Sequence, residues 1–404
     1  MRNSRSTPIT VPIHGAEGNA NPRRTRDGCG WMTLMDDHDL HAGAVLVAGF
    51  DGPTLPEPVR AALGAGRLAG VILFRRNIVD VAQVRALGEA VASTGGVRPI
   101  VAIDQEGGRV ARLRAPVVTL PPARRLGERG DLALTRDLHR ALGEELAALG
   151  ITFDLAPVCD VDSNPANPVI GDRSFGADAG RVATHAAAAI EGLRAGGVLA
   201  CAKHFPGHGD TSTDSHLELP VLPHDLARLE AVELPPFVAA VRAGVDAVMT
   251  AHVRFDALDA TVPATLSRAV MTGLWRERIA AGSDAVVVSD DLLMRAVADR
   301  WDVERSAPMA VEAGCDLLLV CSDPAAAEAA RRSLAERSRA DEAFAARLAD
   351  AAARVRRMRA RVTATIAPEA ALDALWSRPF RRAVEQRLAA AGPVGDAGHD
   401  PTER

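Results

Sequence analysis

Four clusters of polar residues could do chemistry in this 404-residue chain. They are Asp104-Gln105-Glu106 with Arg109 and Arg112, Asp172-Arg173, the stretch from Lys203-His204 to Asp214-Ser215-His216, and Ser289-Asp290-Asp291. Asp104, Arg112, Arg173, Lys203 and His204 supply the mixture of donors and acceptors that a polyhydroxylated ligand needs in a concave site. Cleaving a glycosidic bond takes, in addition, a carboxylate near the anomeric carbon and an acid for the leaving oxygen. Asp290 can be that carboxylate. Asp214 and His216 stand two residues apart, which in an extended segment puts them on one side of the chain. There a carboxylate can orient an imidazole and stabilise its protonated form. A polar pair on an exposed loop fits the same spacing equally well.

Structural readings stand beside the chemical ones. Asp290 and Asp291 precede a short helical pattern, and either can cap it, Asp291 the more readily. Glu106 can pair with Arg109 or Arg112, and Asp160 and Asp162 can orient neighbouring loops. His208, between two glycines, can serve only to shape its loop, and His252 can be a strand-end residue. His139, His185 and His224 fall on segments away from the clusters. A metal set of His204, His208, Asp214 and His216 is conceivable, but two glycines and a proline interrupt it and no His-x-x-x-His helix forms. No metal and no cofactor are expected.

Positioning these clusters falls to a repeated pattern of short apolar runs and longer helical stretches. The runs are Ala44–Phe50, Gly70–Phe74, Pro99–Ile103, Ile151–Leu155, Val198–Ala202, Ala247–Thr250, Asp284–Val288 and Asp316–Val320. Most are continuously apolar, as parallel strands buried on both faces are. Between them, Asp80 can cap a helix with Val81, Val84, Leu87 and Val91 on one face, and Leu134, Leu138, Leu142 and Leu146 form a second stripe. Eight alternations predict an α/β chain folded as a TIM (β/α)8 barrel, a single domain with extra C-terminal helices at roughly 323–361 and 368–391. A doubly wound sheet is the runner-up, but no glycine-rich phosphate turn follows the first run. In a barrel the residues after each strand share one face, and every polar cluster follows a run. The expected organisation is a disordered tail over 1–40, a catalytic barrel over 41–365, a helical extension over 366–391 and a disordered tail over 392–404.

Composition narrows the classes. The chain carries 47 basic and 52 acidic residues for a net charge of −5, with nine Phe, four Trp and no Tyr, so no nucleic-acid surface is expected. The first apolar run is too short to cross a bilayer and residues 1–30 hold no apolar signal core, so neither a membrane partner nor secretion is expected. Met32 or Met35 is an alternative start. Cys29, Cys159, Cys201, Cys315 and Cys321 are odd in number and lack Cys-x-x-Cys spacing, which suits reduced cysteines and a cytoplasmic location.

Six motifs then carry a resemblance: V-A-I-D-Q-E-G-G-R-V at 101–110, A-P-V-C-D-V at 156–161, G-D-R-S-F at 171–175, K-H-F-P-G-H-G-D-T at 203–211, D-S-H at 214–216 and S-D-D-L at 289–292. Over residues 44–322 the chain resembles the bacterial β-N-acetylhexosaminidases of glycoside hydrolase family 3. The resemblance implies a retaining enzyme with Asp290 as nucleophile and His216 as acid/base supported by Asp214. It implies that Asp104, Arg112, Arg173, Lys203 and His204 hold a terminal N-acetylglucosamine. The implied substrates are cell-wall muropeptide fragments or chitooligosaccharides, and the implied state is a monomer. Asp172 and Phe175 stand where Glu and Tyr are common, and Cys159 where Leu is common. The rival activities are a phosphorylase using the same dyad and a family 3 β-glucosidase, whose second domain finds no counterpart in the helical stretch after residue 322.

Overall fold

The computed structural model describes residues 36–390 together with Asp400 and Thr402. The two tails expected over 1–40 and 392–404 therefore fall largely outside the described residues, although the helix Asp37–Ala44 begins inside the first.

Eight strands close into a barrel: β1 Leu46–Ala48, β2 Gly70–Leu73, β3 Ile100–Ile103, β4 Phe153–Asp154, β5 Leu199–Phe205, β6 Ala247–Thr250, β7 Val286–Asp291 and β8 Leu317–Val320. Each pairs in parallel with its sequence neighbours, and β1 closes on β8 through Leu46 and Leu318, Val47 and Leu319, Ala48 and Val320. That closure makes the fold a TIM (β/α)8 barrel and removes the open sheet. Each apolar run of the sequence supplies one strand. Two strands outlast their runs: β5 continues through Lys203 and His204 to Phe205, and β7 continues to Asp291. The ladder persists there, Phe205 opposite Thr250 and Asp291 opposite Leu319, while irregular register in each strand marks where the side chains turn polar.

Alternation along the strands fills the interior. Val47, Ile72, Ile100 and Ala102, Phe153 and Leu155, Leu199 and Cys201, Ala247 and Met249, Val286 and Val288, and Leu317 and Leu319 form one buried cluster. The intervening residues, Val71, Leu73, Val101, Ile103, Ala200 and Val248 among them, join the layer between strands and helices. The helix Glu342–Ala360 adds Val355 and Met358 to the interior cluster. Its Arg359 Nε donates to the carbonyl of Arg98, just before β3, at 2.8 Å, so this helix covers the amino ends of the strands.

The surrounding helices follow the sequence signals. Asp80 accepts from the Gln83 amide at 2.8 Å and caps Val81–Ala92, with Val84, Leu87 and Val91 buried. Asp131 caps Leu132–Ala148, whose four-leucine stripe is buried. The stretch expected at 323–361 is two helices, Pro324–Ala340 and Glu342–Ala360, because Asp341 leaves helical geometry (φ −142°) and caps the second. The extension contains Leu372–Trp376 and Pro379–Ala389. It is fastened to Leu132–Ala148 by Arg387 on Asp137 at 2.6 Å and Arg378 on Glu144 at 2.7 Å.

His139 lies inside the helix Leu132–Ala148, its Nδ1 2.7 Å from the Thr135 carbonyl. Burial lowers its pKa to about 4. An unfolded histidine protonates near 6.5, so the unfolded chain takes up the proton first, and this residue's contribution is lost as pH falls from about 6.5 towards 4. Between pH 7 and pH 5 the loss is on the order of 2 kcal/mol. We expect the stability difference between the protein and His139→Gln, measured by urea unfolding, to shrink across that interval. A constant difference would contradict the neutral buried imidazole.

Candidate active site

The alternation that fills the barrel also selects the side chains at its carboxyl end. Ile100 and Ala102 lead to Asp104, Leu199 and Cys201 to Lys203, and Val286 and Val288 to Asp290. These three line a cavity of about 220 Å³ together with Arg173, His204, His208, His216 and Asp291. Of the eight residues singled out from sequence, six line this cavity: Asp104, Arg173, Lys203, His204, His216 and Asp290. Asp214 lies behind His216. Arg112 does not line the cavity; its side chain is 0 % exposed, and its place in the wall is taken by Thr402.

The cavity rests on a buried ion network. Lys203 Nζ lies 2.7 Å from Asp104 Oδ1 and 2.6 Å from Glu106 Oε1. Arg173 grips Glu106 with Nε and Nη2, both at 2.8 Å, a bidentate pair. Arg112 Nη2 reaches Asp104 Oδ2 at 3.3 Å. Burial opposes ionisation of Asp104, but Lys203 and Arg112 outweigh it and hold the carboxyl below its usual range. Glu106 is held low in the same way by Arg173 and Lys203. Burial also disfavours the charge on Lys203, and Asp104 and Glu106 more than compensate, so its pKa rises. The sequence suggested Arg109 or Arg112 as the partner of Glu106. Instead Arg109 turns away to Asp172 Oδ1 (2.9 Å) and to the carbonyls of Val169 and Ile170, where it braces the loop that carries Arg173. The Asp172 of G-D-R-S-F thus faces Arg109, and Phe175 stacks on His185 with centroids 5.4 Å apart, so neither departure from the family pattern touches the cavity.

A second network orients the imidazoles. Asp160 accepts from the His204 amide at 3.2 Å, from His204 Nδ1 at 2.7 Å and from the His208 amide at 2.7 Å. Burial raises the Asp160 pKa, and the two histidines overcome it and keep it lowered. With Nδ1 engaged, His204 can present Nε2 to a ligand hydroxyl. His208 is neutral, its pKa lowered by burial to about 4. Its ring bridges Thr211 Oγ1 (2.8 Å) and Ser215 Oγ (3.0 Å), the residue between Asp214 and His216. Gly209 lets this loop lie on the loop that follows β4, since a Cβ there would stand 1.8 Å from the Val161 carbonyl oxygen. His208 therefore does more than shape a loop: it pins the dyad. Asp214 Oδ1 accepts from both the amide (2.8 Å) and Nδ1 (2.7 Å) of His216, a carboxylate–imidazole arrangement that fixes the ring's orientation.

Asp290 is set by the backbone and by hydroxyls. Its amide donates to Thr250 Oγ1 at 3.3 Å, Thr250 meets Thr265 Oγ1 at 2.8 Å, and Thr265 meets His252 Nδ1 at 2.7 Å. His252 Nε2 faces the Asp291 carbonyl at 2.9 Å, an acceptor, so Nε2 carries the proton and His252 is a positioning residue. Burial pushes the Asp290 carboxyl up, and His252, His204, His216 and the Asp291 amide bring it below its usual value. Asp291 is different: burial raises it to about 6, and it accepts from the amides of Leu293 (3.1 Å) and Cys321 (3.0 Å) rather than capping a helix. Among the described residues no group of three or more His, Cys, Asp or Glu is placed to hold a metal ion.

Sequence reasoning left Glu106, Asp160, His208 and His252 open, and the structure gives each a partner in the site. Asp400 and Thr402, expected in a disordered tail, carried no signal; both contact Arg112.

Comparison with known proteins agrees with this geometry. A family model described as the glycosyl hydrolase family 3 N terminal domain matches residues 47–358. A beta-hexosaminidase of Chromobacterium violaceum is 40% identical over 305 residues, covering 74% of this chain and 84% of that protein. A solved family 3 beta-N-acetylglucosaminidase from Paenibacillus sp. str. FPU-7 superposes with a TM-score of 0.79 at 39% identity, over 86% of this chain and 67% of that one. NagZ from Neisseria gonorrhoeae, solved with N-trifluoroacetyl-D-glucosamine, gives a TM-score of 0.70 at 32% identity, over 87% of this chain and 98% of that one.

Removing one partner from a buried ion network strands the others, at a cost of about 3–5 kcal/mol. Glu106→Ala leaves Arg173 and Lys203 without their shared acceptor. We expect that loss in urea unfolding at pH 7, with Glu106→Gln in between. An alanine variant as stable as the parent would remove the network from its structural role.

Proposed function

The chain belongs to glycoside hydrolase family 3, and on that premise we propose that it is an exo-acting β-N-acetylglucosaminidase that works by double displacement with retention. The reading rests above all on one observation: Asp290 and His216, the latter backed by Asp214, line the same cavity as the sugar-binding set. Asp290 attacks the anomeric carbon as the glycosidic bond breaks, and His216 Nε2 gives its proton to the leaving oxygen. Asp214 stabilises the imidazolium that donates. In the second half-reaction His216 takes a proton from water, the water oxygen bonds to the anomeric carbon, and the Asp290 carboxylate leaves. Asp104, Lys203, Arg173 and His204 hold the terminal N-acetylglucosamine, joined by Arg112 when it is uncovered. This division of roles follows the motif resemblance and suits the distances above.

The substrate class is a cell-wall muropeptide fragment or a chitooligosaccharide with a non-reducing terminal N-acetylglucosamine, in keeping with the N-acylated glucosamine, N-trifluoroacetyl-D-glucosamine, bound by the solved Neisseria relative. The catalytic unit is the barrel over 41–365, with 366–391 as a helical extension. A cytoplasmic setting is supported by Cys159, Cys201, Cys315 and Cys321, all buried free thiols. No helix among the described residues is long and apolar enough to cross a membrane. Among the described residues the exposed large apolar side chains, Leu40, Val79, Val97, Leu132, Leu217 and Val221, fall in five separate stretches of the chain, which favours a monomer.

Aryl β-N-acetylglucosaminide should be hydrolysed far faster than aryl β-glucoside, and the reverse preference would sink the assignment. Asp290→Ala should abolish turnover. His216→Ala should cost about 10²–10⁴-fold on poor leaving groups and much less on nitrophenolates, which need little protonation. An equal loss across a leaving-group series would take the acid role away from His216.

A further inference from the structure

Arg112 was expected to face the terminal sugar, but it faces the chain's own C-terminal segment. Its Nη1 donates to Asp400 Oδ2, and its Nη2 donates to Thr402 Oγ1 at 2.6 Å. Thr402 in turn donates to Asp400 Oδ1 from its amide (2.8 Å) and its hydroxyl (2.7 Å). Asp400 and Thr402 thus form one polar unit that sets two oxygens against the two outer nitrogens of the guanidinium. Vicinal sugar hydroxyls would meet the same two nitrogens. The Asp400 side chain is 9 % exposed and that of Arg112 0 %, and Thr402, not Arg112, forms the cavity wall.

Charge explains why this partner fits. The network at the barrel mouth holds three cations, Arg112, Arg173 and Lys203, against two carboxylates, Asp104 and Glu106. Lys203 and Arg173 are each paired at 2.8 Å or less, whereas Arg112 has only the 3.3 Å contact to Asp104. A third carboxylate balances the set. Burying Arg112 without one would leave a desolvated, weakly paired charge.

We propose that the Arg112 side of the active site is a docking surface for the chain's own C-terminal segment, and that the docked Asp400 and Thr402 exclude the terminal sugar from Arg112. The inference rests on the proposed sugar-binding role of Arg112. The docked segment competes with substrate, so apparent affinity falls by the fraction of molecules left open: docking for nine-tenths of the time raises KM about tenfold. Because the partner belongs to the same chain, docking is intramolecular, and modest intrinsic affinity is enough.

The test uses the full chain carrying Asp400→Ala and Thr402→Ala. With aryl β-N-acetylglucosaminide its KM should fall about three- to tenfold with kcat unchanged. A peptide of residues 391–404 added to this variant should restore the higher KM competitively. In calorimetry, without any turnover, the same peptide should bind the variant and should not bind the variant that also carries Arg112→Lys, which keeps a charge but loses the fork. An unchanged or raised KM overturns the proposal, the latter because the segment would then be helping to hold the sugar. Failure of the peptide to bind overturns it as well. Peptide binding with no hydrolysis of any aryl N-acetylglucosaminide would instead overturn the functional assignment and leave docking in place.

Discussion

The site depends on keeping Lys203 and Arg173 charged inside a protein. Each lies almost wholly out of water, where an isolated charge is unstable, and Asp104 and Glu106 make burial tolerable. The barrel supplies the precondition. Because β3 and β5 point Asp104 and Lys203 into the same interior, the ion pair forms across 99 residues of sequence with a 2.7 Å contact. Glu106 then recruits Arg173 from the loop after β4, which Arg109 braces from behind. The sugar-facing floor is thereby built from groups already held by one another, so little reorganisation remains when a ligand enters.

The framework was legible in the sequence because parallel strands buried on both faces are written as continuous apolar runs, and eight such runs leave little choice of topology. Asp80 and the leucine stripe from Leu134 to Leu146 were legible for a similarly local reason. The candidate site was legible in part, since barrel topology gathers whatever follows each strand on one face. The ends of β5 and β7 were not, because polar side chains hide a backbone ladder that still pairs. Nor were the partners of Glu106, Asp160 and His208, which are chosen by proximity across 7 to 97 residues. Arg112 and Asp400 are separated by 288 residues, and nothing local marks that contact. The Asp214–His216 spacing alone left a surface pair as good a reading. What favours the catalytic one is the closing of His208 on Ser215 and the presence of Asp290 in the same cavity.

Two mechanical regimes meet in that cavity. Lys203 and Asp290 ride on strands whose hydrogen bonds and packing fix them, and Asp104 follows directly on β3. His216 rides on a loop after β5 that is held by individual hydrogen bonds, among them His208 to Ser215, Asn167 to the His208 carbonyl, and the Ala296 amide to the Ser215 carbonyl. The last of these runs to the segment after β7, so the elements carrying the proposed acid and the proposed nucleophile are joined directly. Positioning the nucleophile rigidly and the acid on a tethered loop suits the chemistry: the carbon under attack has one correct place, while the leaving oxygen belongs to aglycones of different shapes.

The allotment of charge explains how Asp290 can act as a nucleophile in so buried a place. A carboxylate clamped by a lysine or arginine would have its charge spent before the substrate arrived. Here the cations answer to Asp104 and Glu106, and what favours ionised Asp290 is softer: the imidazoles of His252, His204 and His216 and the amide of Asp291. Burial lowers the pKa of His252, and Thr265 and the Asp291 carbonyl turn its ring, so it stands beside Asp290 as a fixed imidazole rather than a permanent cation. Asp291 next door, raised to about 6 by burial first and by the neighbouring Asp290 charge as well, is used on the backbone amides of Cys321 and Leu293. Adjacent carboxyls on one strand end thus diverge in role because Asp290 has imidazole charge and one amide on its side, whereas Asp291 is held by two backbone amides. As positive charge grows on the sugar in the transition state, the carboxylate best placed to meet it is the one whose own charge was stabilised without being neutralised.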